Sequence, residues 1–475
     1  MVGKTVHIKC FGCQMNKLDS SLVARALREA GFAVVEQATD ADAVIINTCS
    51  VRAHAEERVF SHLGHLKHIR KTRPQTVVVV MGCMAQRLGR RLLEHEAVDI
   101  VVGPGQIPRI PQMLADAIAD RSAGKHIAVS AEIRAAGSES EARRLDEFEA
   151  AFDSDENHIK SQAFVRVMRG CNNFCSYCVV PYVRGPEISR PPGAIMEQIR
   201  KLAGGGIRQV TLLGQTVNSY EYPAGDRTYY LADLLEMASA IEGVRWIRVI
   251  TSHPGKFDDS ILHAMAGLEK VCPYLHLPAQ SGSDEILKAM NRHYTAAEYL
   301  DLLGRAREIV GDIAIAGDFI VGFPGETEAD FEATAELVRR ACYKNIFVFK
   351  YSPRPGTHAV KKLADSVPYE VKQRRNGELL DQQNEIAADY NMRFVGRDVE
   401  VLVEGLSKKP HLNRAEHEDN PQLIGRTATD YIVVFNGPES LTGTFAKVRI
   451  GKTTALTLFG EVAEGPCYNK NSIAS

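Results

Sequence analysis

Val165-Arg166-Val167-Met168-Arg169-Gly170-Cys171-Asn172-Asn173-Phe174-Cys175-Ser176-Tyr177-Cys178 decides how the rest of this chain is read. Three thiols separated by three and then two residues can bend onto one face of a loop, with no fourth protein ligand nearby. A structural zinc site is closed by four ligands, whereas an iron–sulfur cube held by three thiolates keeps one iron free for a non-protein ligand. The apolar run 163–168 reads as a buried strand that delivers the loop, a setting that a zinc knuckle or a strained disulfide does not need.

The C-x-x-x-C-x-(aromatic)-C pattern, with Tyr177 at the aromatic position, resembles the signature of the radical S-adenosylmethionine (SAM) enzymes. The resemblance implies that the free iron chelates SAM, and that an electron from the cluster splits it into methionine and a 5′-deoxyadenosyl radical. From 163 to about 375 strand-like and helix-like stretches alternate, with strands predicted at 163–168, 209–213, 246–250, 274–277, 313–321 and 346–350. Six such units suit a partial (βα)6 barrel with its function at the carboxyl ends of the strands. Polar motifs stand at those ends and place Gln215, Ser252, Ser281, Arg292 and Asp318 around the expected SAM site. Glycine and proline there also make ordinary βα turns, and Gly204-Gly205-Gly206 reads as a helix end.

Upstream, short apolar runs at 6–9, 43–47, 77–81 and 98–102 alternate with amphipathic stretches, the rhythm of a doubly wound parallel sheet. Cys13, Cys49 and Cys83 each lie just beyond the end of a different run. In an open parallel sheet those ends share one edge, where ligands bind, so a second three-cysteine cluster site is expected. Cys10 lies in the first strand and leaves a competing ligand open, while Cys272, Cys342 and Cys467 read as buried small hydrophobes.

Segment 122–160 reads as an acidic linker, helical in part around 141–152. Between 131 and 156 it holds nine acids against three arginines, a local −6 in a chain of net −2. The remainder is therefore +4, mildly basic, which permits RNA binding without demanding it. After a helical stretch at 368–393, four β-like runs at 399–404, 423–428, 431–435 and 443–450 suggest a small β-barrel of a kind that often binds nucleic acid. Its basic residues are interleaved with acids, so charge alone is a weak signal. The tail 463–475 reads as disordered.

A chain of 475 residues with 45% hydrophobic content suits several domains with real cores. No apolar run reaches membrane-spanning length and the N-terminus lacks a secretory stretch, so a cytoplasmic location is expected. Ten cysteines in that reducing setting read as ligands or free thiols rather than disulfides.

The motifs Gly12-Cys13-Gln14-Met15-Asn16, Asn47-Thr48-Cys49-Ser50-Val51-Arg52 and Gly82-Cys83-Met84-Ala85-Gln86-Arg87, standing before the radical loop, resemble the methylthiotransferases over nearly the full chain. Cys178-Val179-Val180-Pro181-Tyr182-Val183-Arg184-Gly185 presses toward the members acting on prenylated adenosine in tRNA, and the C-terminal barrel is similar to their RNA-binding TRAM domain. The resemblance implies a methylthiotransferase domain over 1–121, a radical SAM barrel over 161–390 and a TRAM barrel over 391–462. It implies two 4Fe–4S clusters, at Cys13, Cys49 and Cys83 and at Cys171, Cys175 and Cys178. Two SAM molecules would be used, one methylating a sulfur on the first cluster and the other split at the second. The implied partners are a tRNA anticodon loop with a prenylated adenosine and a reducing donor such as flavodoxin or ferredoxin. No membrane is implied, and a monomeric chain is expected. Two other functions fit the residues: a sibling enzyme acting on another modified adenosine or a ribosomal-protein aspartate, and a non-catalytic metal-stabilised RNA-binding module.

Overall fold

The computed structural model describes residues 3–50, 53–120, 122, 124–130, 138–152, 161–408 and 420–463. The N-terminal sheet contains β1 (Lys4–Phe11), β2 (Phe32–Val34), β3 (Ala43–Thr48), β4 (Val77–Gly82), β5 (Ile100–Val102) and β6 (His126–Ala128), all parallel, in the order β2-β1-β3-β4-β5-β6. β3 and β4 are buried at every residue, as a parallel sheet covered on both faces requires. Ile45 and Val79 join the core on one side, while Val44, Ile46, Val78 and Val80 join the core on the other. The chain leaves β1 for β2 on one flank and returns to β3 on the other, so a topological switch point lies between β1 and β3.

The central region contains β7 (Gln162–Arg166), a hairpin of β8 (Met168–Arg169) and β9 (Ile188–Ser189), β10 (Gln209–Leu213), and a hairpin of β11 (Glu221–Ala224) and β12 (Arg227–Tyr230). β13 (Trp246–Ile250), β14 (Tyr274–His276), β15 (Ala314–Val321) and β16 (Asn345–Lys350) follow. β7, β10 and β13 pair in parallel, as do β14, β15 and β16; the bridge Ile247↔Val271 and the bond from Ser252 N to His276 O join the halves. The result is an open arc of six strands with β7 and β16 at its edges, coinciding with the six strands expected from sequence. Gly204 ends a helix, as read. The C-terminal strands β17 (Asp398–Leu406), β18 (Gln422–Thr427), β19 (Ile432–Asn436), β20 (Phe445–Thr453) and β21 (Thr457–Val462) close a barrel in the order β17-β18-β19-β21-β20. β21 was not legible in the sequence; it pairs with both β19 and β20 and completes the closure. Trp246 packs edge-on against Phe445 at 4.8 Å and Lys344 pairs with Asp430 at 3.2 Å, seating this barrel on the arc.

Two expectations need correction. The segment read as a linker supplies β6, the sixth strand of the N-terminal sheet, and the Ser138–Ala150 helix, which carries Glu149 into the interior. Glu149 is fully buried, with Arg169 at 3.0 Å, Arg190 at 3.2 Å and Arg166 at 3.4 Å; Asp146 accepts from Arg169 and Arg190. Cys342 is exposed in a left-handed helix cap, φ 44°, instead of buried, because the helix must end there to enter β16. Cys272 is buried as expected, and Cys467 and most of the tail lie outside the described residues.

Burial raises the cost of the Glu149 charge, but the three guanidinia outweigh it and hold the carboxyl at about 2 against an ordinary 4.5. Glu149→Gln leaves those cations short of an anion and should cost about 3–5 kcal/mol in anaerobic urea denaturation. In the parent protein this contribution is fully present above the ordinary pKa of 4.5 and is lost as pH falls toward about 2. The difference between parent and variant should shrink across that window.

Two thiol triads at a candidate radical centre

The N-terminal triad follows from the sheet. Cys13, Cys49 and Cys83 stand immediately beyond the carboxyl ends of β1, β3 and β4, three adjacent strands at the switch point. Two buried asparagines fix the loops: Asn16 Nδ2 donates to Asn47 Oδ1 at 2.8 Å, and Asn47 Nδ2 donates to Asn16 O at 2.7 Å and Ser20 Oγ at 3.0 Å. Gly82 has φ 98°, and a Cβ there would lie 2.5 Å from Asn47 Oδ1 and 2.7 Å from Thr48 O, so only glycine fits. Arg87 donates to Ser50 Oγ at 2.7 Å and to Glu56, tying the Cys49 loop to the helix that carries Cys83. The Cys49 sulfur beside Cys13, and then Arg184, lower the Cys13 thiol to about 6 against the opposing effect of burial. Cys10 sits within β1 opposite Asn47, and burial pushes its thiol to about 11.

The second triad lies beyond β7 and β8. Gly170 has φ 72°, and a Cβ there would meet Pro186 O at 1.8 Å, so the loop can fold back only with glycine at that point. Cys171 N donates to Gly185 O at 3.1 Å and closes the loop. Each sulfur accepts a hydrogen bond: Asn173 Nδ2 donates to Cys171 Sγ at 3.4 Å, Arg292 to Cys175 Sγ at 3.4 Å, and Val180 N to Cys178 Sγ at 3.4 Å. Burial raises the Cys171 and Cys178 thiols, so coordination to a metal is what would deprotonate them.

Among the described residues no group of three Cys, His, Asp or Glu converges on a single metal ion. A polynuclear cluster does not require that convergence, because its thiolates are spread around a cube. Two buried sulfurs and a half-buried third, each already accepting hydrogen bonds, fit such a cluster, since N–H···S bonds are among the features that tune it.

The strand ends opposite this loop hold buried polar atoms without a partner among the described residues: Gln215 Oε1, Ser252 Oγ, His253 Nε2 and His276 Nδ1. Such atoms are costly unless a ligand or water satisfies them, so they fit a polar cofactor such as SAM. Burial first, then Arg292 and Lys256, push His253 down to about 3, leaving it neutral. With its Nδ1 accepting from Gly255 N, its unpartnered Nε2 is the donor. His253 and His276 were not singled out by sequence, although His253 directly follows Ser252 and His276 ends β14. Asp318 bonds His276 Nε2 at 3.1 Å. Tyr177 packs edge-on against Phe323 beside the loop. Ser281 does not join this group: its hydroxyl is engaged by Thr334 and Ser283 N, because the glycine after it lets the Glu328–Ala341 helix approach closely. Arg292 spends its guanidinium on Cys175, Tyr294 and Pro278 O, so the structure gives it to the loop. Backbone strain gathers here too. Five of the eight described non-glycine residues at positive φ are Phe174, Thr251, Gln280, Asn291 and His293, on the loop or this rim.

Three family profiles match the chain: an uncharacterized protein family, UPF0004, over residues 5–103, the radical SAM superfamily over 165–338, and the TRAM domain over 392–463. The chain is 42% identical over 462 residues to a tRNA-2-methylthio-N(6)-dimethylallyladenosine synthase of Rhodopirellula baltica, covering 97% of this chain and 95% of that one. It is 40% identical over 448 residues to the synonymous protein of Syntrophotalea carbinolica, covering 94% and 97%. The chain belongs to this family. It is a radical SAM transferase, and that superfamily brings a 4Fe–4S cluster and SAM. The chain is similar in fold to the radical SAM methyltransferase TsrM of Kitasatospora setae, with TM-score 0.52 at 17% identity, covering 76% of this chain and 77% of that one. No helix among the described residues is long and apolar enough to cross a membrane.

Gly170→Ala should force the Cys171 loop away from Pro186 and lower the iron bound after anaerobic reconstitution, by about half if each triad holds a cluster. Iron and sulfide analysis checks this; a full complement would show that the loop tolerates the side chain.

Proposed function

We propose that this chain adds a methylthio group to C2 of N6-isopentenyladenosine at position 37 of tRNA, using two 4Fe–4S clusters and two molecules of SAM. The observation that carries the reading is that the segment following the second triad reaches the first across one seam: Arg184, six residues beyond Cys178, donates to Cys83 Sγ at 3.3 Å. When bound, a cluster at Cys171, Cys175 and Cys178 with SAM supplies the radical chemistry that an inert aromatic C–H bond demands, and a second at Cys13, Cys49 and Cys83 supplies the sulfur. Cys171, Cys175 and Cys178 would hold the first group and Asn173, Val180 N and Arg292 would orient its sulfurs. Gln215, Ser252, His253 and the His276–Asp318 pair would meet the polar atoms of SAM.

The substrate side is supported by the open edge of the arc. Phe347 on edge strand β16 is 48% exposed, in register with Asp318 and edge-on to His276. An aromatic face beside the cofactor site is a stacking platform for a base, and an anticodon-loop base can be splayed onto it without opening a duplex. The exposed Lys447, Arg449 and Lys452 of β20 offer the C-terminal barrel's cations to phosphates, which position an RNA without reading its sequence.

Anaerobically reconstituted protein given SAM, a reductant and prenylated tRNA should yield 2-methylthio-N6-isopentenyladenosine by nucleoside mass spectrometry. Activity only on another adenosine, or on a ribosomal-protein aspartate, would assign a sibling reaction, and zinc without iron would favour a non-catalytic module. Replacing Cys13, Cys49 and Cys83 by alanine should leave 5′-deoxyadenosine formation intact and abolish methylthiolation, whereas Cys175→Ala should abolish both.

A second expectation concerns the base platform. Phe347→Ala should raise KM for tRNA roughly tenfold, the effect of losing about 1–3 kcal/mol of stacking. SAM cleavage without RNA should stay at the parent rate. An unchanged KM would remove Phe347 from the substrate site.

A further inference from the structure

The seam between the N-terminal sheet and the barrel holds a continuous network of buried charges. Asp19, fully buried on the Gln14–Glu29 helix, pairs with Arg166 through one oxygen and with Arg184 through the other, at 3.0 Å for the latter. Glu149 and Asp146 hold Arg166, Arg169 and Arg190. The network therefore joins four arginines to three carboxylates and carries one guanidinium in excess. A buried cation without its full share of anion is costly, so the seam is built around a further negative group.

The geometry identifies where that group sits. Arg184 has a single carboxylate oxygen as an ion-pair partner, and its Nε is directed at Cys83 Sγ, 3.3 Å away. The side chain is 6% exposed, so water offers it little. Three thiolates on a dicationic iron–sulfur cube leave the whole anionic, and more so on reduction.

We propose that Arg184 is a positioning residue for the N-terminal cluster: it supplies the balancing cation, orients Cys83, and raises the reduction potential of the group bound there. The proposal rests on the reading that Cys13, Cys49 and Cys83 hold a cluster. It assigns to the loop of one triad a direct electrostatic hold on the other. A cationic donor to a ligand sulfur stabilises the more negative, reduced state, and hydrogen bonds to cluster sulfurs are among the determinants of potential. Arginine suits the place because its fork serves the carboxylate and the sulfur at once, which a lysine ammonium does less well.

The test uses the full chain with Cys171, Cys175 and Cys178 replaced by alanine, reconstituted anaerobically with iron and sulfide. If this background binds no iron, the cluster reading itself fails and the Arg184 proposal falls with it. If it binds iron, the midpoint potential is measured by titration followed by electron paramagnetic resonance, before and after R184Q and R184K. R184Q should shift the midpoint to more negative potential, and R184K, which keeps the charge but not the fork, should shift it less. An unchanged midpoint in R184Q with full iron would overturn the proposal. Loss of iron from R184Q while R184K still loads would support it, since the cation is then required for assembly. Equal loss from both would overturn it, because charge would then be irrelevant.

Discussion

The buried pairing of Asp19 with Arg166 and Arg184 is the interaction on which this molecule's architecture turns. Asp19 belongs to the first helix of the N-terminal sheet, Arg166 ends the first barrel strand, and Arg184 follows the radical loop. One carboxylate thus fixes two segments of the barrel against one of the sheet. In a site with little water, each of those ions depends on the others: removing a partner leaves an uncompensated charge, which costs far more than the pair gains. The Ser138–Ala150 helix extends the same logic, inserting Glu149 among three guanidinia. Around the ions, Met15, Leu18 and Leu22 of the first helix enter the barrel's own apolar core, so the interface is sealed by hydrophobic contact as well as charge.

Each triad is presented by backbone that only particular residues permit. Gly82 and Gly170 both adopt positive φ where a side chain would strike neighbouring atoms. Asn16 and Asn47 exchange amide bonds that no shorter or charged residue reproduces. The rim opposite the radical loop is strained at Thr251 and Gln280, and it keeps polar atoms at Gln215, Ser252, His253 and His276 out of internal hydrogen bonds. Strain and unsatisfied polarity both cost stability. Their concentration on one rim fits a site shaped for binding at the expense of local packing.

The open arc explains how a large substrate fits this chemistry. A closed barrel would confine the rim to small molecules, whereas here β7 and β16 remain edges. The β7 edge is occupied by the first helix of the sheet and the ion network. The β16 edge carries the exposed Phe347 beside His276 and Asp318. The C-terminal barrel rests on the same arc through Trp246, Arg248 and Lys344, bonded to Phe445, Ala428 and Asp430. An RNA held on that barrel and a base delivered to the rim are compatible with one continuous surface.

Most of the fold was legible in the sequence because its signals are local. The runs of β3 and β4 and the six barrel strands are short apolar stretches bounded by turn residues, and their length and β-branched content separate strand from helix. The spacing of Cys171, Cys175 and Cys178 similarly pointed to an open cluster site, and three cysteines after three strands pointed to a second. The strands β2, β6 and β21 were not legible: each buries only one residue, too little apolar signal to mark a strand, and neighbours in the sheet decide them. The acids at 146 and 149 looked like solvated charge because nothing local distinguishes a buried carboxylate from an exposed one. Only the tertiary structure, by bringing Arg166, Arg169 and Arg190 from distant segments, turns them inward. The same holds for Arg184, Ser281 and Arg292. Their residue types were evident, but the direction in which each side chain spends its hydrogen bonds depends on what packs beside it. Sequence determined which chemical groups are present and at which strand ends; the packing of sheet against barrel decided which of them meet.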